Sequence, residues 1–265
     1  MKAFTKYIWI AATSARSNLA YVGEVASRTV FLGVLLYILV RLWSVVYAEA
    51  NSKLLGGLEL PQMIWYLVIT ESIVLSGQRI AADVDEDVRT GRLAVQLLRP
   101  LSYPLYRLAH TLGERFLRFF MNAATGGLVA LILIGPVHVT PAGLAMFAIV
   151  LPAALVVDSM AYLLIGLCAF WFESTSGIAL IYSRIVMMLG GMMLPIEIFP
   201  DAIQPVVRAM PFASILYAPA RMFVAPSAPF LMEVILRQFA ALALFGLAVA
   251  GVQGIAVKRI QANGG

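Results

Sequence analysis

The chain has few charged residues, a single cysteine and no nucleotide-binding loop. Aspartate, glutamate, lysine and arginine together make up only 12% of its 265 residues. Cys168 has no second cysteine with which to form a disulfide or a cysteine-based metal cage. None of the lysines follows a glycine, so the Gly-Lys-Ser/Thr ending of a phosphate-binding loop is missing. The chain therefore lacks this machinery for hydrolysing ATP.

Recognisable catalytic patterns are also scarce. His110 and His138 are the only histidines, and the sequence has no His-Glu-x-x-His or comparable metal-ligand spacing. No serine stands in a Gly-x-Ser-x-Gly elbow, which would place a nucleophile at a strand-to-helix turn. We therefore expect no catalytic residue, no metal site and no cofactor bound by this chain.

The sequence does contain long apolar stretches. Hydrophobic residues make up 62% of the chain, and its mean hydropathy is +0.90. A membrane core about 30 Å thick needs roughly 20 apolar residues in a helix. Six stretches approach or exceed that length: Thr29–Tyr47, Leu60–Ser76, Leu112–Gly135, Ala142–Phe172, Gly177–Leu194 and Phe230–Val257. The sequence predicts an all-α polytopic membrane protein with six transmembrane helices, forming a single transmembrane domain over residues 1–265.

The positions of the basic residues predict the orientation. Positive charges near span ends stay on the cytoplasmic side. Thirteen of the 19 lysines and arginines lie before the first span, between the second and third, or after the last. Both termini are therefore expected in the cytoplasm. This bias accounts for the net charge of +5, so we expect membrane lipid and no nucleic acid as a partner.

The first 28 residues are predicted to form an amphipathic helix in the cytoplasmic interface. Apolar residues recur at helical spacing from Phe4 to Leu19, with basic residues on other faces and Trp9 at headgroup depth. No apolar core of a cleavable signal precedes them, so we expect none. The alternative is a helix packed on the spans.

The loop over residues 79–111 carries a pattern typical of protein docking. An acidic run precedes Gly91, which is followed by a short apolar segment and a proline stop at Pro100. Leu93, Leu97 and Leu98 are expected to share one face of a short helix, flanked by arginines. Such a face outside the membrane favours contact with another protein, although the helix could instead lie along the lipid surface.

Charged residues within the spans are candidates for a translocation path. Glu71, Asp158 and Arg184 lie well inside predicted spans, where charges are costly and usually face a partner or a watery route. At 1.5 Å per residue, Glu71 and Arg184 lie at a similar depth, so we expect them to pair. Asp158 has no base at a matching depth, which leaves it a role in substrate passage or in pairing with a second subunit.

Residues 195–229 are apolar but contain seven prolines. Proline removes a backbone donor, and a broken backbone at membrane depth survives only where protein or a cavity satisfies its polar groups. We expect an external re-entrant segment that caps the outer end of a path. The alternative is an ordinary loop resting on the headgroups.

Two motifs resemble those of the membrane subunits of bacterial type-2 ABC exporters. The stretch Glu86 to Pro100, with Leu98-Arg99-Pro100-Leu101 and Tyr103-Pro104, is similar to the segment that forms their coupling helix. The run from Gly190 to Pro200, followed by Met210-Pro211, is similar to their re-entrant segment. The Leu-Arg-Pro variant resembles a branch in which two membrane subunits are paired on one shared ATPase.

The resemblance implies a permease subunit in the bacterial inner membrane that is not itself an enzyme. It implies a dimer of ABC ATPase subunits, which hold ATP and magnesium, and a second membrane subunit, identical or paralogous. The implied coupling residues are Asp85, Glu86, Arg89, Gly91, Arg92, Leu93, Leu97, Leu98, Arg99 and Pro100. The implied re-entrant residues are Pro195, Glu197, Phe199, Pro200 and Pro211. The alternatives are a stand-alone secondary transporter or channel, and a membrane enzyme whose acids, Asp83 to Asp87, hold a divalent metal.

Overall fold

A computed structural model describes residues 2–18, 22–50, 52–77 and 79–263. In these ranges the regular structure is helical, apart from one isolated bridge between Leu55 and Leu58. The α-helices are α1 (Lys2–Asn18), α2 (Val22–Glu49), α3 (Leu60–Leu75), α4 (Ile80–Arg89), α5 (Arg92–Leu97), α6 (Tyr103–Leu133), α7 (Pro141–Leu167), α8 (Ser176–Leu189), α9 (Gln204–Ala209), α10 (Tyr217–Val224) and α11 (Ala228–Asn263). The prediction of an all-α fold is confirmed.

Five segments of the described chain are long and apolar enough to cross a membrane. They are Val30–Glu49, Leu60–Arg89, Tyr103–Leu133, Pro141–Phe170 and Ala228–Ile255. The sixth predicted span is shorter than expected, because α8 has 14 residues and ends at Leu189. At 1.5 Å per residue, α8 is about 21 Å long. The chain turns directly after it at Gly191, whose φ of +73° is a left-handed conformation that glycine adopts without strain.

Successive spans run in opposite directions, so the segments that connect them lie at two ends of the bundle. We name these ends after the short helices found there, the α4–α5 end and the α9–α10 end. At the α4–α5 end, Lys6 Nζ on α1 donates to the carbonyl of Pro100 (2.9 Å), and the Ser102 amide donates to Tyr7 Oη (3.1 Å). At the α9–α10 end, Trp65 Nε1 donates to the carbonyl of Gly135 (3.1 Å). Helix α1 and the loop after the second span therefore lie on the same side of the bundle.

Helix α3 forms the centre of the bundle. Ten of its 16 residues, from Met63 to Ile73, are buried. It packs against α2, α6 and α10, while α7 packs against α10 and α11. The main apolar core therefore joins the spans to the short helices of the α9–α10 end, including Tyr66 on α3 and Tyr217 on α10.

The N-terminal region differs from the predicted single helix over residues 1–28. Helix α1 ends at Asn18, and α2 begins at Val22. Helix α1 packs along α6, where Ser14 is buried and its hydroxyl donates to Glu114 Oε1 (3.1 Å). Trp9 remains exposed. Helix α1 thus packs on a span and still presents an aromatic side chain outward.

Substituting Gly113 by alanine should displace α1 from α6. A Cβ atom at Gly113 would lie 2.0 Å from the carbonyl oxygen of Ala11 and 2.8 Å from its Cα. Overpacking of this kind typically costs about 1–3 kcal/mol. We expect a lower thermal unfolding temperature for the purified protein in detergent. Gly251→Ala on α11 is the matched control because nothing lies within 4 Å of its Cβ position. Equal unfolding temperatures for the two variants would contradict this packing.

Candidate functional site

The predicted coupling region folds into two short helices joined by a tight turn, which we call the α4–α5 elbow (residues 80–97). Ile80, Ala81 and Val84 on α4 are buried against α7. Gly91 links the helices with a φ of +71°, a left-handed conformation that favours glycine. The turn glycine expected from the sequence therefore lies at the bend of the elbow.

Asp87 holds the elbow to α6. Its side chain is buried and accepts hydrogen bonds from Tyr103 Oη (2.7 Å), Arg107 Nε (3.0 Å) and Gln96 Nε2 (3.2 Å). Arg107 also forms an ion pair with it through Nη2. One carboxylate thus ties together α4, α5 and the first turns of α6. Asp87, Tyr103 and Arg107 were not among the predicted coupling residues, and Asp87 was predicted as a ligand only in the alternative of a metal-dependent enzyme.

Asp85 ties the same helix to α8. Its Oδ2 accepts hydrogen bonds from both the amide and the hydroxyl of Thr175, each at 2.9 Å. Thr175 is the N-cap residue of α8, so the carboxylate lies where the helix dipole favours a negative charge. Asp85 is buried, and its Oδ1 has no hydrogen-bond partner among the residues that the structure describes. Helix α4 therefore contacts α6 through Asp87 and α8 through Asp85.

The predicted leucine surface is only partly correct. Leu93 is buried in an apolar cluster with Ile80 and Leu163, and Leu97 packs against this cluster. Leu98 points outward, with 86% of its surface exposed, and so does Val95, with 62% exposed. At 100° per residue, Leu97 lies near Leu93 around the helix, whereas Leu98 is displaced by about 140°. The outward apolar surface consists of Val95 and Leu98.

The other predicted coupling residues surround this surface. Arg92 forms an ion pair with Glu86 at 2.5 Å, and both side chains are more than half exposed. Arg89, Gly91, Arg99 and Pro100 are exposed. We define the elbow surface as Val95, Leu98, Arg89, Arg92 and Arg99, which combines apolar side chains with positive charge.

A second polar cluster lies between the spans. Arg115 on α6 and Asp158 on α7 are both buried and form an ion pair at 2.6 Å. Arg115 also donates to Ser76 Oγ (3.3 Å) and Ser159 Oγ (3.2 Å), and Tyr182 on α8 donates to Asp158 Oδ1 (3.0 Å). The expectation that Asp158 lacks a matching base is wrong. Arg115, which the sequence counted among the basic residues of the cytoplasmic side, is its partner because both side chains are buried where α6 packs against α7.

The predicted pair of Glu71 and Arg184 is not formed. Glu71 is buried on α3, whereas Arg184 is exposed on α8. Both are described residues, and no ion pair joins them. Arg184 contacts Met187 Sδ at 3.8 Å instead. Similar depth therefore did not imply the same helix face.

The segment over residues 195–229 is built of short helices around Glu197. Tyr217 Oη donates to Glu197 Oε1, and Arg208 (3.7 Å) and Arg221 (3.9 Å) form ion pairs with the same oxygen. Gln204 Nε2 donates to the Phe199 carbonyl (2.8 Å). Burial and the neighbouring Glu197 raise the pKa of Tyr217 well above its ordinary value, so its hydroxyl remains a donor. Charge and hydrogen bonds therefore hold the segment together.

Side chains of the spans satisfy the broken backbone of this segment. Tyr66 donates to the Gly191 carbonyl, Thr70 to that of Met192 (2.8 Å), and Gln238 to that of Ser214 (3.2 Å). Pro195 is buried, Pro211 is partly buried and begins a 3₁₀ turn, and Pro200 is exposed. The residues from Ala213 to Ala220 are all buried. The segment is thus packed against the spans rather than laid over them.

The acidic run does not form a shared cation site in the part of the chain that the structure describes. Asp85 contacts Thr175, and Asp87 contacts Tyr103 and Arg107, so the two carboxylates face different helices. No group of three histidine, cysteine, aspartate or glutamate side chains among the described residues could hold a metal ion.

The alternating apolar spans, with polar clusters between them and at both ends, define a multi-pass α-helical membrane protein. Residues 31–264 match the family model described as ABC-2 family transporter protein. The chain therefore belongs to the ABC-2 transporter family, whose members are membrane components of ABC transporters that work with an ABC ATPase and are not themselves catalytic. No curated protein matches the chain.

Proposed function

We propose that the chain is the transmembrane subunit of an ATP-driven exporter and forms half of its translocation path. Its partners are a second membrane subunit, identical or paralogous, and a dimer of separate ATPase subunits that hold ATP and magnesium. Both termini and the α4–α5 end lie in the cytoplasm of a bacterial inner membrane. The basic residues concentrated at this end support that orientation.

The observation that carries the proposal is the elbow surface. Val95 and Leu98 are exposed on a helix that the chain anchors firmly from behind. An exposed leucine beside arginines on a rigid support fits a partner with an apolar groove and an acidic rim. For a member of the ABC-2 family, the expected partner at this surface is the ATPase subunit.

The anchoring of the elbow provides a route for movement. A shift of α4 is passed to α6 through Asp87 and Arg107, and to α8 through Asp85 and Thr175. Packed elements with discrete arrangements transmit such shifts as rigid-body movements. ATPase closure would in this way move α6 and α8 between inward-facing and outward-facing arrangements. The α9–α10 end then acts as the outer cap, held by the ion pairs of Glu197.

Leu98→Asp should weaken binding of the ATPase without unfolding the membrane subunit. Placing a charge at the centre of an apolar contact is expected to cost about 1–2 kcal/mol, which corresponds to roughly tenfold weaker binding. The measurement is co-purification of the tagged ATPase, together with ATP-dependent transport. Leu54→Asp, at the opposite end and also more than half exposed, is the control. If Leu98→Asp retains the wild-type amount of ATPase, the docking assignment is wrong.

A further inference from the structure

A cleft of about 740 Å³ opens between α4 and the start of α8. Arg79 and Arg89 line it, and so does Asp85, whose buried Oδ1 has no partner. Thr175 and Ser176 at the start of α8 complete the polar part of the wall. The cleft lies at the α4–α5 end of the bundle, and its wall combines these two arginines with two acids, Asp85 and Glu86.

A second cavity of about 240 Å³ lies deeper among the spans. Tyr162 lines both the cleft and this cavity, so the two spaces meet at one shared side chain. The polar wall of the deeper cavity includes Arg184 and Ser183 of α8, together with the ion-paired Arg115 and Asp158. Its apolar wall is formed by Ile73, Val74, Val186, Met187 and Leu216. Together the two spaces form what we call the α8 groove.

Arg184 is the unusual residue of the groove. It lies about 12 Å along α8 from Ser176, at 1.5 Å per residue, and it is exposed. Among the described residues it has no acidic partner, because Glu71 does not reach it and Asp158 is held by Arg115 and Tyr182. An arginine inside a span normally faces a partner or a polar route.

The outward face of α8 is apolar. Leu180, Ile181 and Met188 are each more than half exposed along the helix that carries Arg184. A ligand in the groove would therefore meet positive charge on one side and a lipid-like surface on the other. This combination suits a molecule with an acidic headgroup and a hydrocarbon tail.

We infer that the α8 groove binds anionic amphiphiles. The acidic headgroup passes Arg79 and Arg89 in the cleft and is held by Arg184 in the deeper cavity, while the tail lies along the apolar face of α8. The inference rests on the proposed function in treating the groove as part of the translocation path. Binding itself, however, requires no ATPase, so the two ideas can fail separately.

The test is binding of decyl phosphate to the full chain in nanodiscs of phosphatidylcholine, with decanol and decyltrimethylammonium as uncharged and cationic controls. The wild-type chain should bind decyl phosphate about tenfold more tightly than decanol, the gain expected of one charge-assisted hydrogen bond. Arg184→Gln should remove this preference, and Arg184→Lys should keep most of it. Arg41→Gln is the matched control, since Arg41 lies in a different span against the ring of Tyr37. Equal binding of the three amphiphiles to the wild type, or an unchanged preference in Arg184→Gln, would overturn the inference.

A second measurement does not depend on changing Arg184. Ser183 lines the same cavity, and its hydroxyl donates to the Leu180 carbonyl on α8. In a Cys168→Ala background, Ser183→Cys should react with a water-soluble thiol reagent, and decyl phosphate should slow that reaction about tenfold whereas decanol should not. An unchanged rate would contradict occupancy of the groove. If phosphatidylglycerol added to the discs competes with decyl phosphate, the ligand is membrane lipid. If decyl phosphate binding is unchanged by phosphatidylglycerol, the ligand is a cargo molecule.

Discussion

Asp158→Ala is expected to destabilise the protein by about 3–5 kcal/mol, the usual cost of removing one member of a buried ion pair. The remaining partner, Arg115, carries a guanidinium cation and is only 3% exposed. Its other contacts, Ser76, Ser159 and the Leu155 carbonyl, are neutral and cannot compensate that charge. The free energy of unfolding, measured by denaturant titration in detergent micelles, tests this expectation.

Two further variants separate the ion pair from general effects of substitution. Glu233→Ala removes one member of an ion pair with Arg237 on α11, whose side chains are 43% and 30% exposed. Exposed pairs typically contribute about 0–1 kcal/mol, so this control should change stability little. The double variant Arg115→Met with Asp158→Leu should regain much of the loss, because apolar side chains can replace a buried pair. A loss no larger for Asp158→Ala than for Glu233→Ala would mean that the pair is not buried in the membrane.

The sequence predicted the fold well where a single physical rule applied. Apolar length alone identified the long spans. The prolines of residues 195–229 indicated a broken backbone, and the structure has short helices there. Predictions of helix ends were less accurate. Helix α6 continues into the polar region at Tyr103 because its arginines find buried or ion-paired positions there, which hydropathy does not reveal. Helix α8 ends early at a glycine turn.

The site was harder to predict because it depends on which face of a helix meets which neighbour. Depth suggested that Glu71 and Arg184 would pair, but depth carries no information about rotation around the helix axis. Leu93 and Leu97, spaced by four residues, follow the ordinary pattern of a face turned toward the protein's own core. Asp87 could have been recognised from the same pattern, since it shares a helical face with Ile80 and Val84 at spacings of seven and three.

Asp87→Ala should have the largest effect on the elbow. Asp87 is 1% exposed and is the shared acceptor for Tyr103, Arg107 and Gln96. Removing it leaves Asp83, at 3.8 Å, as the acidic partner of Arg107 among the described residues, and leaves the Tyr103 hydroxyl without this acceptor. We expect a loss of about 3 kcal/mol in stability, near the lower end for a broken buried pair. Because α5 would no longer be fixed to α6, ATPase co-purification should fall as well.

Glu86→Ala is the matched control because Glu86 is the adjacent acid on the same helix. Its side chain is 63% exposed and pairs only with Arg92, so stability should change by less than about 1 kcal/mol. Leu98→Asp provides the complementary comparison, since it should reduce ATPase binding while leaving the unfolding free energy near the wild-type value. If Asp87→Ala behaves like Glu86→Ala in both assays, the elbow is not held by Asp87. If Asp87→Ala lowers stability but retains full ATPase binding, the elbow surface forms without its attachment to α6. Movement would then have to reach the spans mainly through Asp85 and Thr175.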